Sequence, residues 1–326
     1  MSIEIIAEVA QGYQGDITLA KLLAKAAVRA GVDAVKFQLI YADELATRDY
    51  EYYDFFRGLE MPKEVWKEIV QETHESGVRF YFDVYGEKSL GEAVDLGVDG
   101  IKIPTMEFFN TNLVHLALSE MPRVFVSVGG ISLEEIEWFV DFHARQVCFI
   151  YGFQAEPTPI ESNNLRRFAT LRKRFPSYCF GFMEHADGGS EDAMNLALVA
   201  LGFGIDCIEK HISLDRILQL EDCVSALPPE RFQVFVQNIR HLEKALGTDD
   251  LELTPLELEY RLKTIKVVVA NRELRKGKVI AIDDVCLKRT AHPSLSSSAF
   301  RMEEVLGQTL IVDVQCDQQV TEEMFE

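Results

Sequence analysis

Residues 178–213 read YCFGFMEHADGGSEDAMNLALVALGFGIDCIEKHIS and contain one complete unit of strand, helix and strand. Apolar residues rich in aromatic and β-branched types predict strands over 178–184 and 207–213, while apolar residues at helical spacing predict a helix over 190–202. Strands joined through a helix are typical of parallel sheets. The unit therefore predicts an α/β fold.

The same unit recurs from residue 3 to residue 246. Strand candidates lie at 3–10, 33–39, 79–85, 100–104, 124–130, 147–152, 178–184 and 207–213. Eight strands in about 250 residues, separated by segments of helical period, favour a closed (β/α)8 TIM barrel over a doubly wound sheet. A TIM barrel carries its active site at the carboxyl ends of its strands, which directs attention to the residues there.

The sequence pattern changes after the last barrel helix. The acidic stretch TDDLELTPLELEYRLK has no strand pattern and predicts a linker over 248–263. Short strands and turns follow, including VVANREL and LIVDVQCD, and they predict a small β-rich domain over 264–326. We therefore expect a barrel domain at 1–247 followed by this linker and domain.

Composition excludes several classes of protein. The 326 residues include 33 Lys and Arg against 53 Asp and Glu, a formal net charge of −20. Such a charge repels phosphate backbones and anionic lipid, so we expect neither nucleic acid nor a membrane as a partner. The six cysteines form no CxxC pair, which is typical of free thiols in a reducing compartment. Since no apolar stretch could span a membrane, we expect a cytoplasmic protein.

Polar and charged residues interrupt the apolar strands near their carboxyl ends. They are Glu8, Lys36, Gln38, Lys102, Thr105, Glu107, Ser127, Glu184, His185, Glu209, Lys210 and His211. Burying an ionised side chain without a partner costs several kcal/mol, so these groups either pair with one another or hold a charged ligand. An internal salt-bridge network explains any one of them, but their recurrence at the same end of the barrel favours a ligand site.

Two histidines, His185 and His211, lie at the ends of the neighbouring seventh and eighth strands. Neutral imidazoles in these positions could share one divalent cation, with a Glu or water completing its ligands. A structural role for either imidazole is equally compatible with the sequence. The pattern alone leaves both interpretations open.

Several segments together resemble the sialic acid synthase family. They are IAEVAQGYQGD, AVKFQ, IKIPTMEFFN, SVGG, EPTPIESNNL, GFMEHADGG, ALGFGIDCIEKHISLD and VVANRELRKGKVIAIDDVCLKR. The resemblance runs in order along nearly the whole chain, and the C-terminal part is similar to the antifreeze-like (SAF) domain of those enzymes. It implies condensation of phosphoenolpyruvate with an open-chain N-acylated aminosugar, such as N-acetylmannosamine, to give a nine-carbon 2-keto acid and phosphate. It also implies a Mn²⁺ or Mg²⁺ cofactor.

The resemblance assigns a role to each matching residue. Lys36 and Lys102 would hold the anionic groups of phosphoenolpyruvate, and Glu107 would be the acid/base group. Other substrate contacts would come from Glu8, Gln38, Thr105, Ser127, Gln154, Asp222 and Arg289. His185 and His211 would bind the metal. Because Arg289 would reach the acceptor from the neighbouring subunit, the resemblance also implies a domain-swapped homodimer.

The chain departs from the family pattern at several positions. Gly12-Tyr13 replaces Asn-His, Glu156 replaces Tyr, and Met183 replaces a Ser before His185. The segment Asp83-Val84-Tyr85-Gly86 stands where the family has Ser-Thr-Pro-Phe, which removes hydroxyls that would meet phosphate. Two other functions therefore stay open: the same chemistry on a different aldose acceptor, and a barrel that binds a sugar or phosphate without catalysis.

Overall fold

The computed structural model describes residues 2–143, 147–152, 155–294 and 301–325. The chain divides into two compact units, Met1–Gly247 and Thr248–Glu326. Within the described ranges, no helix is both long enough and apolar enough to cross a membrane.

The first unit is a closed barrel of parallel strands. In the described part of the chain these are β1 (Glu4–Ala10), β2 (Ala34–Leu39), β3 (Arg79–Val84), β4 (Gly100–Ile103), β5 (Val124–Ser127), β6 (Cys148–Tyr151), β7 (Cys179–Glu184) and β8 (Cys207–His211). Each strand pairs with the next, and β1 closes the barrel against β8. Glu8 therefore lies between Lys36 and His211 in register. The predicted TIM barrel is confirmed.

Helices follow the strands of the barrel. They are α1 (Ile17–Ala30), α2 (Ala42–Leu45), α3 (Tyr53–Gly58), α4 (Lys63–Glu75), α5 (Glu87–Leu96), α6 (Thr111–Glu120), α7 (Leu133–His143), α8 (Arg167–Arg174), α9 (Asp192–Leu201) and α10 (Pro229–Leu242). Local sequence sets their ends, as α1 illustrates. Asp16 Oδ1 accepts a hydrogen bond from Leu19 N at 2.8 Å, and Gly31 ends the helix with a φ of 84°.

The alternation of side chains along each strand produces two apolar layers. Outward residues such as Val35, Phe37 and Phe82 pack in the core between strands and helices. The inward faces contribute a second buried cluster of Ile6, Ala34, Tyr81, Phe125, Cys148, Ile150, Met183 and Cys207. On β1, β2, β3 and β8, the residue two positions after the member of this cluster is charged. Because side chains alternate with a period of two, these charged residues form the next inward layer. The site described below is this layer.

The second unit begins with a helix, α11 (Pro255–Thr264), in the interval predicted to be a linker. Thr254 caps this helix, because its Oγ1 accepts from Glu257 N while Glu257 Oε2 accepts from Thr254 N. Strands β9 (Val267–Ala270) and β10 (Val285–Lys288) then pair antiparallel, and a short helix, α12 (Met302–Val305), follows. Apolar side chains from these strands and the following turns form a small core of their own.

Candidate active site

Five charged side chains meet inside the barrel, and we call them the central charge cluster: Glu8, Lys36, Asp83, Lys102 and Glu209. Lys36 Nζ lies 2.5 Å from Asp83 Oδ1 and 3.3 Å from Glu209 Oε2, and it also pairs with Glu8. Lys102 Nζ lies 2.8 Å from Glu209 Oε1 and 3.1 Å from Asp83 Oδ2. None of the five residues is more than 5% exposed. Three carboxylates surround two ammonium groups, so the cluster has a small excess of negative charge.

Burial and neighbouring charges move the pKa values of this cluster in different directions. Burial lowers the pKa of Lys36 to about 8, although the Asp83 and Glu209 charges oppose it. Burial also disfavours the carboxylate of Glu209, but Lys102 and Lys36 outweigh it and lower the pKa of Glu209 to about 2. For Lys102 burial opposes the charge as well, yet Asp83 and Glu209 raise its pKa. At neutral pH Lys102 and Glu209 are therefore charged, and Lys36 gives up its proton more readily.

A second buried ion pair joins Lys210 of β8 to Glu184 of β7. Glu184 Oε1 also accepts a hydrogen bond from Ala186 N at 2.6 Å, and both charged side chains are fully buried. Neither residue lines the central cavity at the barrel mouth. For these two residues the structure supports an internal salt bridge, which ties the ends of two strands together next to His185.

Two imidazoles and one carboxylate converge at the same mouth. His185 follows β7, His211 ends β8, and Glu156 comes from the loop after β6. One ligand atom of each residue lies within 4.8 Å of those of the other two, and His211 Nε2 is 4.0 Å from Glu156 Oε1. Ligand atoms about 2.0–2.2 Å from a shared ion lie up to about 4.4 Å apart. Small side-chain rotations would therefore bring all three groups to one cation.

The chemistry of these three groups fits a divalent cation. Burial lowers the pKa of His185 to about 4, and burial together with His185 lowers the pKa of His211 well below its usual value. Both imidazoles are therefore neutral at neutral pH, as metal ligands must be. Among the described residues His211 Nδ1 has no hydrogen-bond partner. A buried nitrogen without a partner is costly, and a bound ion or its ligands would satisfy it.

Polar side chains surround the charged groups. Thr105 Oγ1 and Ser127 Oγ share a hydrogen bond of 2.7 Å. Gln38 Oε1 accepts from Gln11 Nε2 at 2.8 Å, and Asp222 Oδ2 accepts from Gln11 N at 3.4 Å. Burial raises the pKa of Asp222 to about 6. These groups offer hydroxyl, amide and carboxyl partners to a polyhydroxylated ligand.

Glu156 shares the electrostatic setting of Asp222. Burial, followed by the negative charge of Asp222, raises the pKa of Glu156 to about 7. A cation bound beside these groups would favour their ionised forms. The two carboxyls therefore add to the negative character of the mouth most strongly when a cation is present.

Glu107, Gln154 and Arg289 are the remaining residues that the sequence singled out. Glu107 is half-buried on a short turn after β4, where its Oε2 accepts from Asn110 Nδ2 at 2.8 Å and burial raises its pKa. It does not line the central cavity. Gln154 lies outside the described residues. Arg289 belongs to the second unit, where its exposed side chain donates from Nε to Thr264 O at 3.1 Å.

The central cavity has a volume of about 180 Å³. Its wall consists of Glu8, Gln38, Asp83, Tyr85, Lys102, Pro104, Thr105, Met106, Glu156, His185, Glu209, His211 and Asp222. Sequence reasoning singled out Asp83 and Glu156 only as departures from a family pattern. The strand period could have placed Asp83 inward, two positions after Tyr81. Glu156 lies in an irregular loop before Pro157, for which periodicity gives no orientation.

A parallel barrel with buried charges and a group of metal-ligating residue types at its carboxyl mouth has the architecture of TIM-barrel enzymes. Residues 23–250 match the NeuB family, and residues 265–326 match the SAF domain. The chain belongs to the NeuB family. It is an enzyme, a transferase of the sialic acid synthase-like class. The resemblance noted in the sequence is thereby confirmed.

Named relatives cover the chain almost end to end. It is 27% identical to the N,N'-diacetyllegionaminic acid synthase of Legionella pneumophila, over 96% of this chain and 92% of that protein. It is 26% identical to the human N-acetylneuraminate-9-phosphate synthase, over 99% of this chain and 92% of that protein. Its structure is similar to that of the N-acetylneuraminic acid synthetase of Leptospira borgpetersenii in complex with citrate, with a TM-score of 0.74, 25% identity, and coverage of 80% of this chain and 92% of the other.

Proposed function

We propose that this chain condenses phosphoenolpyruvate with an open-chain N-acylated aminosugar of the N-acetylmannosamine type. The products would be a sialic-acid-type (nonulosonic) 2-keto acid and phosphate. The observation that carries this proposal is that two buried lysines and two neutral imidazoles converge at one barrel mouth. Relatives named as synthases of N,N'-diacetyllegionaminic acid, pseudaminic acid and N-acetylneuraminate 9-phosphate support this class of product.

Lys36 and Lys102 would bind the anionic groups of the donor, with the hydroxyls of Thr105 and Ser127 beside them. Charge-assisted hydrogen bonds from ammonium groups to phosphate are among the stronger polar contacts in proteins. Both lysines already contact carboxylates, so a bound anion would compete with Asp83 and its neighbours for them. Donor binding would therefore replace ion pairs between lysine and carboxylate with ion pairs between lysine and the donor.

His185 and His211 would hold a divalent cation, with Glu156 as the adjacent carboxylate. When bound, the cation supplies a Lewis acid that polarises the acceptor aldehyde. Imidazole ligands favour Mn²⁺ over Mg²⁺, because Mg²⁺ prefers oxygen ligands and retains its waters. We therefore expect Mn²⁺ to support the reaction better than Mg²⁺.

Glu107, which directly follows Met106 of the cavity wall, would be the acid/base group, and its raised pKa suits a group that both accepts and returns a proton. Glu8, Gln38 and Asp222 would orient the acceptor hydroxyls. Of the groups that line the described part of the cavity, Glu8, Asp83, Glu156, Glu209 and Asp222 are carboxyls, against a single lysine. Because the donor would engage Lys36 and Lys102, the remaining carboxyls would disfavour a second anionic group, such as that of a phosphorylated or acidic acceptor.

The second unit would take part through a partner subunit. We propose a homodimer with exchanged second units, in which Arg289 of one chain contacts the N-acyl group bound by the other. The match of this unit to the SAF domain supports the proposal. We also propose a cytoplasmic location, on the grounds of composition and charge.

A non-catalytic barrel that binds a sugar or phosphate is the second candidate function. It is favoured by Asp83, which already neutralises both lysines. Incubating the chain with phosphoenolpyruvate, Mn²⁺ and a panel of N-acylhexosamines separates the two candidates. Release of phosphate together with a 2-keto acid supports the synthase, whereas ligand binding without any turnover supports the binder.

A further inference from the structure

A second cavity of about 290 Å³ adjoins the central cavity, and we call it the side chamber. Gln38, Tyr85 and Met106 line both cavities, so the two spaces share a wall. The remaining lining of the side chamber comes from Gln11 and from the connection between β2 and α4. A group attached to a molecule in the central cavity could therefore extend into it.

The side chamber differs from the central cavity in its chemistry. Its described lining contains no charged side chain, and much of it is apolar, including Leu45, Tyr50, Phe56 and Met106. Tyr50 and Phe56 stack with an interplanar angle of 15°. Met106 is 67% exposed. An uncharged, largely apolar group is the occupant that this wall would accept.

Amide groups mark the junction between the two cavities. Gln11 Nε2 donates to Gln38 Oε1 at 2.8 Å, which leaves an amide oxygen on Gln11 and an amide nitrogen on Gln38 that this bond does not use. An N-acyl group consists of an amide followed by an alkyl chain. Its amide can hydrogen-bond to glutamine, and its alkyl chain can contact the apolar wall.

The connection that carries the apolar wall is held in place by its own polar contacts. Tyr53 Oη donates to Asp43 Oδ1 at 2.6 Å, and Arg57 Nη2 donates to Asp43 Oδ2 at 2.8 Å. Ala42 N donates to Glu60 Oε1 at 2.9 Å. These bonds fix α2 and α3 without a ligand. The side chamber is therefore formed before a substrate arrives.

We propose that the side chamber holds the N-acyl substituent of the acceptor and prefers acyl chains longer than acetyl, a role that depends on the proposed function above. Its volume corresponds to roughly ten water molecules at about 30 Å³ each, far more than the single methyl of an acetyl group. Each methylene transferred from water to an apolar wall tightens binding by about fourfold. A butanoyl group, with two more methylenes, should bind roughly fifteenfold more tightly than acetyl.

The test is calorimetry of the full chain with Mn²⁺ and with N-acetyl-, N-butanoyl- and N-hexanoylmannosamine, in the absence of phosphoenolpyruvate. We expect affinity to rise from acetyl to butanoyl, and saturation-transfer NMR to show the acyl chain in contact with protein. Ala46→Phe places a ring in the chamber, and Tyr50→Ala removes part of its wall. Both variants should lose most of the gain with chain length. Phe142→Ala, which alters an exposed aromatic residue of α7 outside the lining, is the matched control and should keep it.

Equal affinity for the three sugars, no binding of any of them, or an undiminished gain in both chamber variants would overturn the assignment. Because binding is measured without the donor, this result is independent of turnover. Tighter binding of the butanoyl sugar without product formation would contradict the proposed reaction and support the chamber. Product formation from the acetyl sugar, with no gain in affinity for longer acyl chains, would support the proposed reaction and contradict the role of the chamber.

Discussion

Asp83 sets the charge that meets the donor, so Asp83→Asn should strengthen the binding of phosphoenolpyruvate. Asp83 Oδ2 lies 3.1 Å from Lys102 Nζ. An anionic oxygen about 2.8 Å from the same nitrogen would lie at most about 6 Å from that carboxylate. Two unit charges about 6 Å apart repel by ~3 kcal/mol at an effective dielectric constant of about 20. The asparagine also loses favourable contacts with the lysines, and this loss offsets part of the gain. We therefore expect the affinity for phosphoenolpyruvate to rise by about tenfold to a hundredfold.

Calorimetric titration of the wild type and Asp83→Asn with phosphoenolpyruvate, and with inorganic phosphate, measures this effect. Asp95→Asn is the control, because Asp95 pairs with Lys63 at 2.6 Å on the protein surface and should leave both affinities unchanged. Unchanged or weaker binding of phosphoenolpyruvate to a folded Asp83→Asn protein would mean that the Asp83 carboxylate does not repel the bound donor. The two buried lysines would then not be the groups that receive the donor.

Four further changes test other parts of the account. His185→Ala should weaken Mn²⁺ binding by at least tenfold in calorimetry, since it removes a ligand, and an unchanged affinity would reject the metal site. Glu107→Gln should lower kcat by about 10²–10⁴ with little change in the KM for phosphoenolpyruvate, and equal phosphate release would exclude an acid/base role. Arg289→Ala should raise the KM for the acceptor much more than that for phosphoenolpyruvate, and equal effects would contradict contact with the N-acyl group. Burial disfavours the carboxylate of Asp284, but Arg272 and nearby donors outweigh this effect and lower its pKa to about 2. The carboxylate therefore stabilises the fold fully above about pH 4, and this stabilisation is lost as the pH falls toward 2. Asp284→Asn should therefore lower the free energy of unfolding more at pH 7 than near pH 2 in urea titrations, by about 1 kcal/mol because solvent screens the exposed partners, whereas an equal loss at both values would reject the ion pair.

Matched variants separate these effects from general damage. His241→Ala changes an exposed histidine of α10 and should leave Mn²⁺ binding intact. Glu161→Gln changes an exposed carboxylate in the loop after β6 and should keep the kcat of the wild type.

The barrel could be predicted from the sequence because each strand repeats the same pattern. Alternation along β2 places Lys36 among apolar neighbours on a buried strand, and the same reasoning applies to Lys102 on β4. The carboxyl-end rule for TIM barrels then brings these residues together with His185 and His211. Their convergence at one mouth follows from strand order and side-chain period alone.

The pairing inside the site could not be predicted in the same way. The period of two places Glu209 inward and therefore Lys210 on the opposite face of β8, so only its ion pair with Glu184 of the neighbouring strand, and not its position away from the cavity, was out of reach of the sequence. Glu156 reaches the imidazoles from an irregular loop, which has no periodicity to read. The helix at Pro255–Thr264 was missed because its cap lies in an acidic, proline-containing stretch that resembles a linker.

Turnover with a defined product distinguishes a synthase from every non-catalytic alternative. The full chain would be incubated with phosphoenolpyruvate, Mn²⁺ and N-acylmannosamines, and the products would be analysed by mass spectrometry with a parallel assay for phosphate. We expect equal amounts of phosphate and a 2-keto acid three carbons longer than the sugar, with both products abolished by a chelator and restored by Mn²⁺. Absence of that acid with every acceptor, from protein that binds the metal, would contradict the proposed reaction.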